Sequence, residues 1–135
     1  MVFQRVITIV LADDFGMFRR FLRAKLLENG FQIVGEAEDG LKAVAKVAEF
    51  QPDLVLLDIS MPRLNGIQAA AQIRSIAPKS KVLFVSHCTD PDVIQAALWD
   101  GAMGYIRKTA INRDLLPSID AALAGKRFVS DLRVQ

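Results

Sequence analysis

Three acidic residues stand where strand-like runs stop, and that placement is the first sign of chemistry. The run Asp53-Leu54-Val55-Leu56-Leu57 ends in Asp58, and the run Val6-Ile7-Thr8-Ile9-Val10-Leu11 leads through Ala12 into Asp13-Asp14. Strands this apolar belong in the middle of a sheet covered on both faces, so each delivers its acid to the sheet's end, where an unpartnered carboxylate is costly. Three carboxylates a few ångströms apart cannot all stay ionised in a dry site: either a proton is kept or a cation sits between them. All-oxygen ligands favour Mg²⁺ or Ca²⁺, and few protein ligands with room for water favour Mg²⁺. Shielded by such an ion, Asp58 has the chemistry of a nucleophile toward phosphorus, with an aspartyl phosphate as product. Helix capping would account for one aspartate of the pair, not for both together with Asp58.

Two further polar residues end strand-like runs. Ser86 closes the run 81–86 and Lys108 follows the run 104–107, which puts both on the same sheet edge as the acids. Each alone is an ordinary strand-end residue; together with the acids they make a set of metal ligands, nucleophile, hydroxyl donor and fixed cation. Tyr105, the only tyrosine, lies on the short last strand on the same face as Arg107, a pattern shared by any half-buried edge aromatic. Cys88, the only cysteine, has no partner for an internal disulfide and none spaced for zinc.

The elements that must position these residues alternate between strand and helix, the mark of an α/β fold with a parallel sheet. Strands are read at 6–11, 32–36, 53–58, 81–86 and 104–107. Helices are read at 15–28, with Phe18, Phe21, Leu22 and Leu26 inward; at 41–50, with Leu41, Val44, Ala45 and Ala48 inward; and at 66–76. A fourth helix opens at Asp90-Pro91, as N-cap and first position, and closes at Gly101. The fifth runs over 112–124 with Leu115, Leu116, Ile119, Ala122 and Leu123 inward, and Pro117 within it predicts a later start, capped by Asp114. Five β/α units result, with helices on both faces. The common strand order 2-1-3-4-5 sets strands 1 and 3 on either side of the switch point, where Asp13, Asp14 and Asp58 converge.

At 135 residues the chain fits one domain, able to bury roughly two thirds of its unfolded surface. A hydrophobic fraction of 52% suits a sheet covered on both faces, yet no apolar run approaches the length of about 20 residues that crosses a bilayer. The first residues run into Asp13-Asp14 and not into a cleavage site, so a cytoplasmic protein with no membrane partner is expected. A net charge of +2 is too small to argue for nucleic acid. Lys126, Arg127 and Arg133 read as a solvated segment, so residues 1–125 are read as the domain and 126–135 as the start of a linker.

The acid pair Asp13-Asp14, the stretch Asp58-Ile59-Ser60-Met61-Pro62-Arg63-Leu64-Asn65-Gly66, the hydroxyl of Ser86 and the run Gly104-Tyr105-Ile106-Arg107-Lys108 occur in a specific order and spacing. In these, from residue 6 to 125, the chain closely resembles the receiver domain of two-component response regulators. The resemblance implies a flavodoxin-like (βα)5 domain whose Asp58 accepts a phosphoryl group from a sensor histidine kinase. It implies that Asp14 and Asp58 hold Mg²⁺ with the Ser60 backbone carbonyl, that Asp13 assists through water, and that Ser86 and Lys108 contact the phosphoryl oxygens while Tyr105 turns inward. Such a domain is not an enzyme in its own right but assists its own phosphotransfer and dephosphorylation, and it can form a phosphorylation-dependent homodimer. New charge-assisted bonds at roughly 1.5 to 3 kcal/mol each would supply about 3 to 6 kcal/mol. Carrying a two-state equilibrium from 1:99 to 99:1 takes about 5.5 kcal/mol, so a biased population of the helix 4, strand 5 and helix 5 face is expected.

Within the family, Leu98 to Tyr105 and the ending Ala124-Gly125-Lys126-Arg127-Phe128-Val129-Ser130 look like the LuxR-type transcription factors. That implies contact with DNA only through an output domain missing from this chain; a stand-alone or unphosphorylated receiver acting as a protein-binding adaptor is the alternative. An aspartyl-phosphate hydrolase would need a second aspartate where Ser60 stands, and at an FMN phosphate loop Asp13-Asp14 would repel the ligand. One departure from the family pattern is His87, in place of the usual small residue after the switch hydroxyl; it would partly screen Asp58. His87→Ala is expected to speed phosphorylation by acetyl phosphate, followed by intact mass against time, and an unchanged rate rejects the screening role.

Overall fold

Why the acids meet is a matter of strand order. In the computed structural model, which describes residues 5–131, the chain runs β1 (Thr8–Ala12), α1 (Gly16–Glu28), β2 (Gln32–Ala37), α2 (Gly40–Phe50), β3 (Leu54–Leu57) and α3 (Gly66–Ile76). It continues through β4 (Lys81–Ser86), α4 (Pro91–Trp99), β5 (Gly104–Arg107), a 3₁₀ turn (Lys108–Ala110), α5 (Ile111–Leu123) and β6 (Phe128–Val129). The strands form one sheet in the order β2-β1-β3-β4-β5-β6, and every neighbouring pair is parallel. The chain therefore reverses direction across the sheet at β1, with β2 on one side and β3 on the other.

Strand alternation splits the core into two layers. Val10, Ala12, Val55, Leu57, Val82 and Phe84 face one way and pack against α2, α3 and α4. Ile9, Leu11, Leu54, Leu56, Leu83 and Val85 face the other and pack against α1 and α5. Central strands buried on both faces need such unbroken apolar runs.

Several expectations need correction. The sheet has six strands, not five: the amide of Phe128 donates to the carbonyl of Met103 at 3.0 Å and that of Ser130 to Tyr105 at 2.8 Å. Two apolar residues between Lys126-Arg127 and Ser130-Asp131 carry too little pattern to read as a strand. Within the basic segment, Arg133 and the rest of 132–135 lie outside the described residues. Helix α2 turns a different stripe inward, with Ala43 and Val47 buried, Val44 packed beside them and Leu41 exposed. Its phase is set at its start, where Asp39 caps the amide of Lys42 at 2.8 Å and Gly40 lies so close to the Leu64 carbonyl that no side chain fits. Phe21 and Leu123 are likewise exposed at the margins of their stripes.

Helix α5 begins at Ile111, earlier than Pro117 suggested, and keeps that proline inside. Pro117 lies on the exposed side of the helix, where water can satisfy a freed carbonyl. Asp114 is no cap; its side chain is buried.

The loop from Asp58 to Gly66 is folded back on itself. The amide of Gly66 donates to the Ile59 carbonyl at 2.8 Å, and a β-carbon on Gly66 would fall 2.0 Å from the Asp58 carbonyl oxygen. Asn65 then starts α3 through a capping box with Gln68. Because the obstacle is backbone, Gly66→Ala must push the helix off the loop; it should cost about 3 kcal/mol, the upper end of overpacking. Urea unfolding followed by circular dichroism measures this, and a loss under about 0.5 kcal/mol, the level of an ordinary surface change, rejects the close-approach argument.

Candidate functional site

Register brings the acids together. Ala12 and Leu57 are partners across β1 and β3, and the amide of Asp58 donates to the Ala12 carbonyl at 2.9 Å, so Asp13 and Asp58 leave the sheet side by side. Reactive oxygens of Asp13, Asp14 and Asp58 all lie within 4.8 Å of one another, with Asp13 and Asp58 buried and Asp14 exposed. Lys108, the residue after β5, sends its ammonium between the two buried acids, 2.8 Å from Asp13 Oδ2 and 3.2 Å from Asp58 Oδ2.

The remaining carboxylate oxygens are also held. Asp58 Oδ1 accepts the Ile59 amide at 2.8 Å, and Asp13 Oδ1 accepts that of Phe15 at 2.8 Å. Asp13 thus braces the entry to α1 while it pairs with Lys108. Arg19 ties the same turn down, donating to the Asp13 carbonyl at 2.5 Å and to Glu36 at 3.2 Å. Phe18 lies under the Lys108 ammonium, 4.5 Å from ring centre to Nζ, a cation–π contact in a dry setting.

Around this cluster a cleft of about 440 Å³ opens to solvent, its floor made by Asp58 and Lys108 and its rim by Asp14, Ser60 and His87. Ser86 lines it from the end of β4, buried, with its hydroxyl oxygen accepting the Cys88 amide at 3.0 Å. Tyr105 stands behind Ser86 and not in the cleft. It is fully buried against Phe84, not half-buried at an edge, because β6 covers β5; its hydroxyl donates to the Cys88 carbonyl at 2.6 Å.

Electrostatics follow from this crowding. Burial, then the neighbouring Asp13 charge, raise the Asp58 carboxyl above its ordinary value despite Lys108. Burial works against the charge on Lys108 as well, but Asp13 and Asp58 together outweigh it and hold the ammonium above its usual range. One cation is shared by two carboxylates, so it is favoured while Asp58 remains short of positive charge. Burial pushes the Tyr105 hydroxyl up to about 12, so it stays a donor at neutral pH.

Every site residue expected from the sequence reaches this region: Asp14, Asp58, Ser60, Ser86 and Lys108 line the cleft, Asp13 is buried beside Asp58, and Tyr105 stands one layer behind. Phe18 and Arg19 were missed as site residues. Phe18 read as one more core position on its stripe, and nothing in the spacing of Arg19 marked it as the clamp on Asp13.

Comparison with known proteins identifies the family. Residues 9–120 match the family of the response regulator receiver domain. The chain is 37% identical over 126 residues to the transcriptional regulatory protein PdtaR of Mycobacterium tuberculosis (strain ATCC 25618 / H37Rv), covering 92% of this chain and 60% of that protein. It is 34% identical over 115 residues to the chemotaxis protein CheY of Bacillus subtilis (strain 168), covering 85% of this chain and 96% of that protein. A two-component response regulator of the LuxR family from Aurantimonas superposes with a TM-score of 0.86 at 31% identity, over 93% of this chain and 91% of that one. The chain thus spans about 60% of the length of the curated transcriptional regulatory proteins it matches.

The raised Asp58 carboxyl has a consequence for stability. A carboxyl that binds its proton more tightly folded than unfolded favours folding at low pH and costs stability once pH rises above its folded value. Without added metal, Asp58→Asn should therefore be more stable than wild type at pH 7. The difference should fade as pH falls toward the ordinary carboxyl value of 3.8. Urea unfolding at both pH values checks the sign; a variant less stable than wild type at pH 7 overturns it.

Proposed function

This chain belongs to the response regulator receiver family, and from that premise we propose that Asp58 is the phosphoacceptor of a two-component signalling pathway, loaded by a sensor histidine kinase with Mg²⁺. The observation that carries this reading is the buried Asp58 carboxylate on the floor of an open cleft, paired with Lys108 at 3.2 Å and within 4.8 Å of two more acids.

The donor set suits a hard divalent cation, because three carboxylates face one ammonium and all the ligands are oxygen. Asp14, Asp58 and the Ser60 backbone carbonyl would hold the ion. Asp13, which braces the Phe15 amide and pairs with Lys108, stands beside them and would assist through water. When bound, Mg²⁺ supplies charge neutralisation for the transferring phosphoryl oxygens.

The protein's own part is to aim and shield. An Asp58 oxygen attacks phosphorus; the P–N bond of the kinase phosphohistidine breaks, its electron pair leaves with the imidazole, and that nitrogen takes up a proton. Lys108 stays as the fixed cation beside the new phosphoryl group, and the Ser86 hydroxyl swings to donate to one of its oxygens. The chain thus assists its own phosphotransfer and dephosphorylation without being an enzyme for another substrate.

The switch is modest in size. Lys108 is already bonded to both acids, so Ser86 is the new donor, at roughly 1.5–3 kcal/mol. At 1.4 kcal/mol per tenfold, phosphorylation shifts the state of α4, β5 and α5 by about ten- to a hundredfold, a bias and not a lock. A DNA-binding response regulator of the LuxR family among the solved structures supports a DNA-binding output; phosphorylation-dependent pairing of receivers belongs to the same proposal. The match to nearly the whole of CheY supports a stand-alone receiver as the second reading, which would act as a protein-binding adaptor. None of the described helices is long and apolar enough to cross a membrane.

Incubation with acetyl phosphate and Mg²⁺ should give one phosphoryl adduct by intact mass, absent without the metal and absent in Asp58→Asn. No adduct on wild type, from acetyl phosphate or a competent kinase, overturns the reading.

A further inference from the structure

The sixth strand covers the outer edge of β5, the strand that carries Tyr105 and leads into Lys108. Val129 lies beside Tyr105 in register, and Phe128 beside Gly104. An open edge strand is a template for pairing, and here the chain supplies its own occupant.

Side-chain hydrogen bonds fasten that occupant beyond the ladder itself. Arg127 reaches across to the end of α4, donating to the carbonyls of Leu98 at 3.0 Å and Ala102 at 3.1 Å. Ser130 is buried and relays between two elements: its oxygen accepts the Arg107 amide at 3.1 Å while its hydroxyl donates to Asp114 of α5 at 2.6 Å. Asp114 is buried too and is held in turn by Arg113 at 2.9 Å. Residues 127–130 thereby bridge α4, β5 and α5, and strand direction carries the chain out at the same sheet edge as Asp58.

From this we infer that residues 126–131 are a strand latch that closes the face made by α4, β5 and α5 and passes the state of the site to whatever follows Asp131. The physical route is short. Ser86 pairs with Arg107 across β4 and β5, and the Arg107 amide, on the opposite edge, donates to Ser130. Tyr105 holds the Cys88 carbonyl with its hydroxyl and receives the Ser130 amide on its own carbonyl. A change in Ser86 or Tyr105 therefore acts on the strand to which the latch is bonded. An external partner for this face would have to displace the latch first.

The latch stands on these contacts alone, while its response to phosphorylation rests on the reading of Asp58. Amide hydrogen exchange of the 135-residue chain tests both, with the amides of Arg107, Phe128 and Ser130 as probes. In Ser130→Ala, and in the surface variant Arg127→Ala should the first not fold, at least one probe should exchange ten times faster or more, with Val10 and Val55 unchanged. Wild-type rates at all three overturn the latch. Where intact mass shows the adduct, the probes should change at least threefold, and no change overturns the transmission. Where no adduct forms, the Asp58 reading falls and Tyr105→Phe decides transmission: a threefold change sustains it and wild-type rates overturn it.

Discussion

Everything at the functional end of this molecule depends on one ammonium shared by two buried carboxylates. Lys108 sits 2.8 Å from Asp13 and 3.2 Å from Asp58, reaching them from the end of β5, which runs two residues past the level where β1 and β3 stop. The arrangement is tight for the protein and incomplete for the charges. Asp14 adds a third acid at the cleft's mouth, and burial keeps Asp58 reluctant to ionise. A site short of positive charge is one that a divalent cation completes, and one where an incoming group is met by a fixed cation and a buried hydroxyl.

The supporting shell converts that charge arrangement into fixed geometry. Asp13 has one oxygen on Lys108 and one on the Phe15 amide, so the start of α1 and the pocket are locked together. Phe18 backs Lys108 from the same helix, and Arg19 fastens the turn from outside. On the other side, the loop after Asp58 returns so closely that α3 begins against the Asp58 carbonyl, which only a glycine at 66 permits. Strands β1, β3 and β5 and helices α1 and α3 therefore converge on two carboxylates, and a shift of any of them changes the site.

Away from the acids, the sheet transmits. Ser86 and Tyr105 lie on neighbouring strands, and the two edges of β5 serve different tasks, one toward the site and the other toward the C-terminal segment. A strand bonded on both sides cannot move alone. This gives a small local event at Ser86, on the scale of a single hydrogen bond, a path to the end of the described chain.

What the sequence determined on its own is local: which runs are strands, which residue ends each, and hence that Asp13, Asp14, Asp58, Ser86 and Lys108 share one edge. Alternation, apolar runs and stop residues act within a few positions, so they can be read without knowing what packs against them. Only the tertiary structure decided how those side chains divide their contacts: that Lys108 is split between two acids, that Phe18 backs it and not merely the core, and that Tyr105 is buried. It also decided the phase of α2, where both stripes are apolar and the backbone of Leu64 selects one, and the sixth strand, whose two residues become a strand only because β5 offers an open edge. These outcomes depend on pairing between residues distant in the chain, a property that no run of neighbouring residues carries.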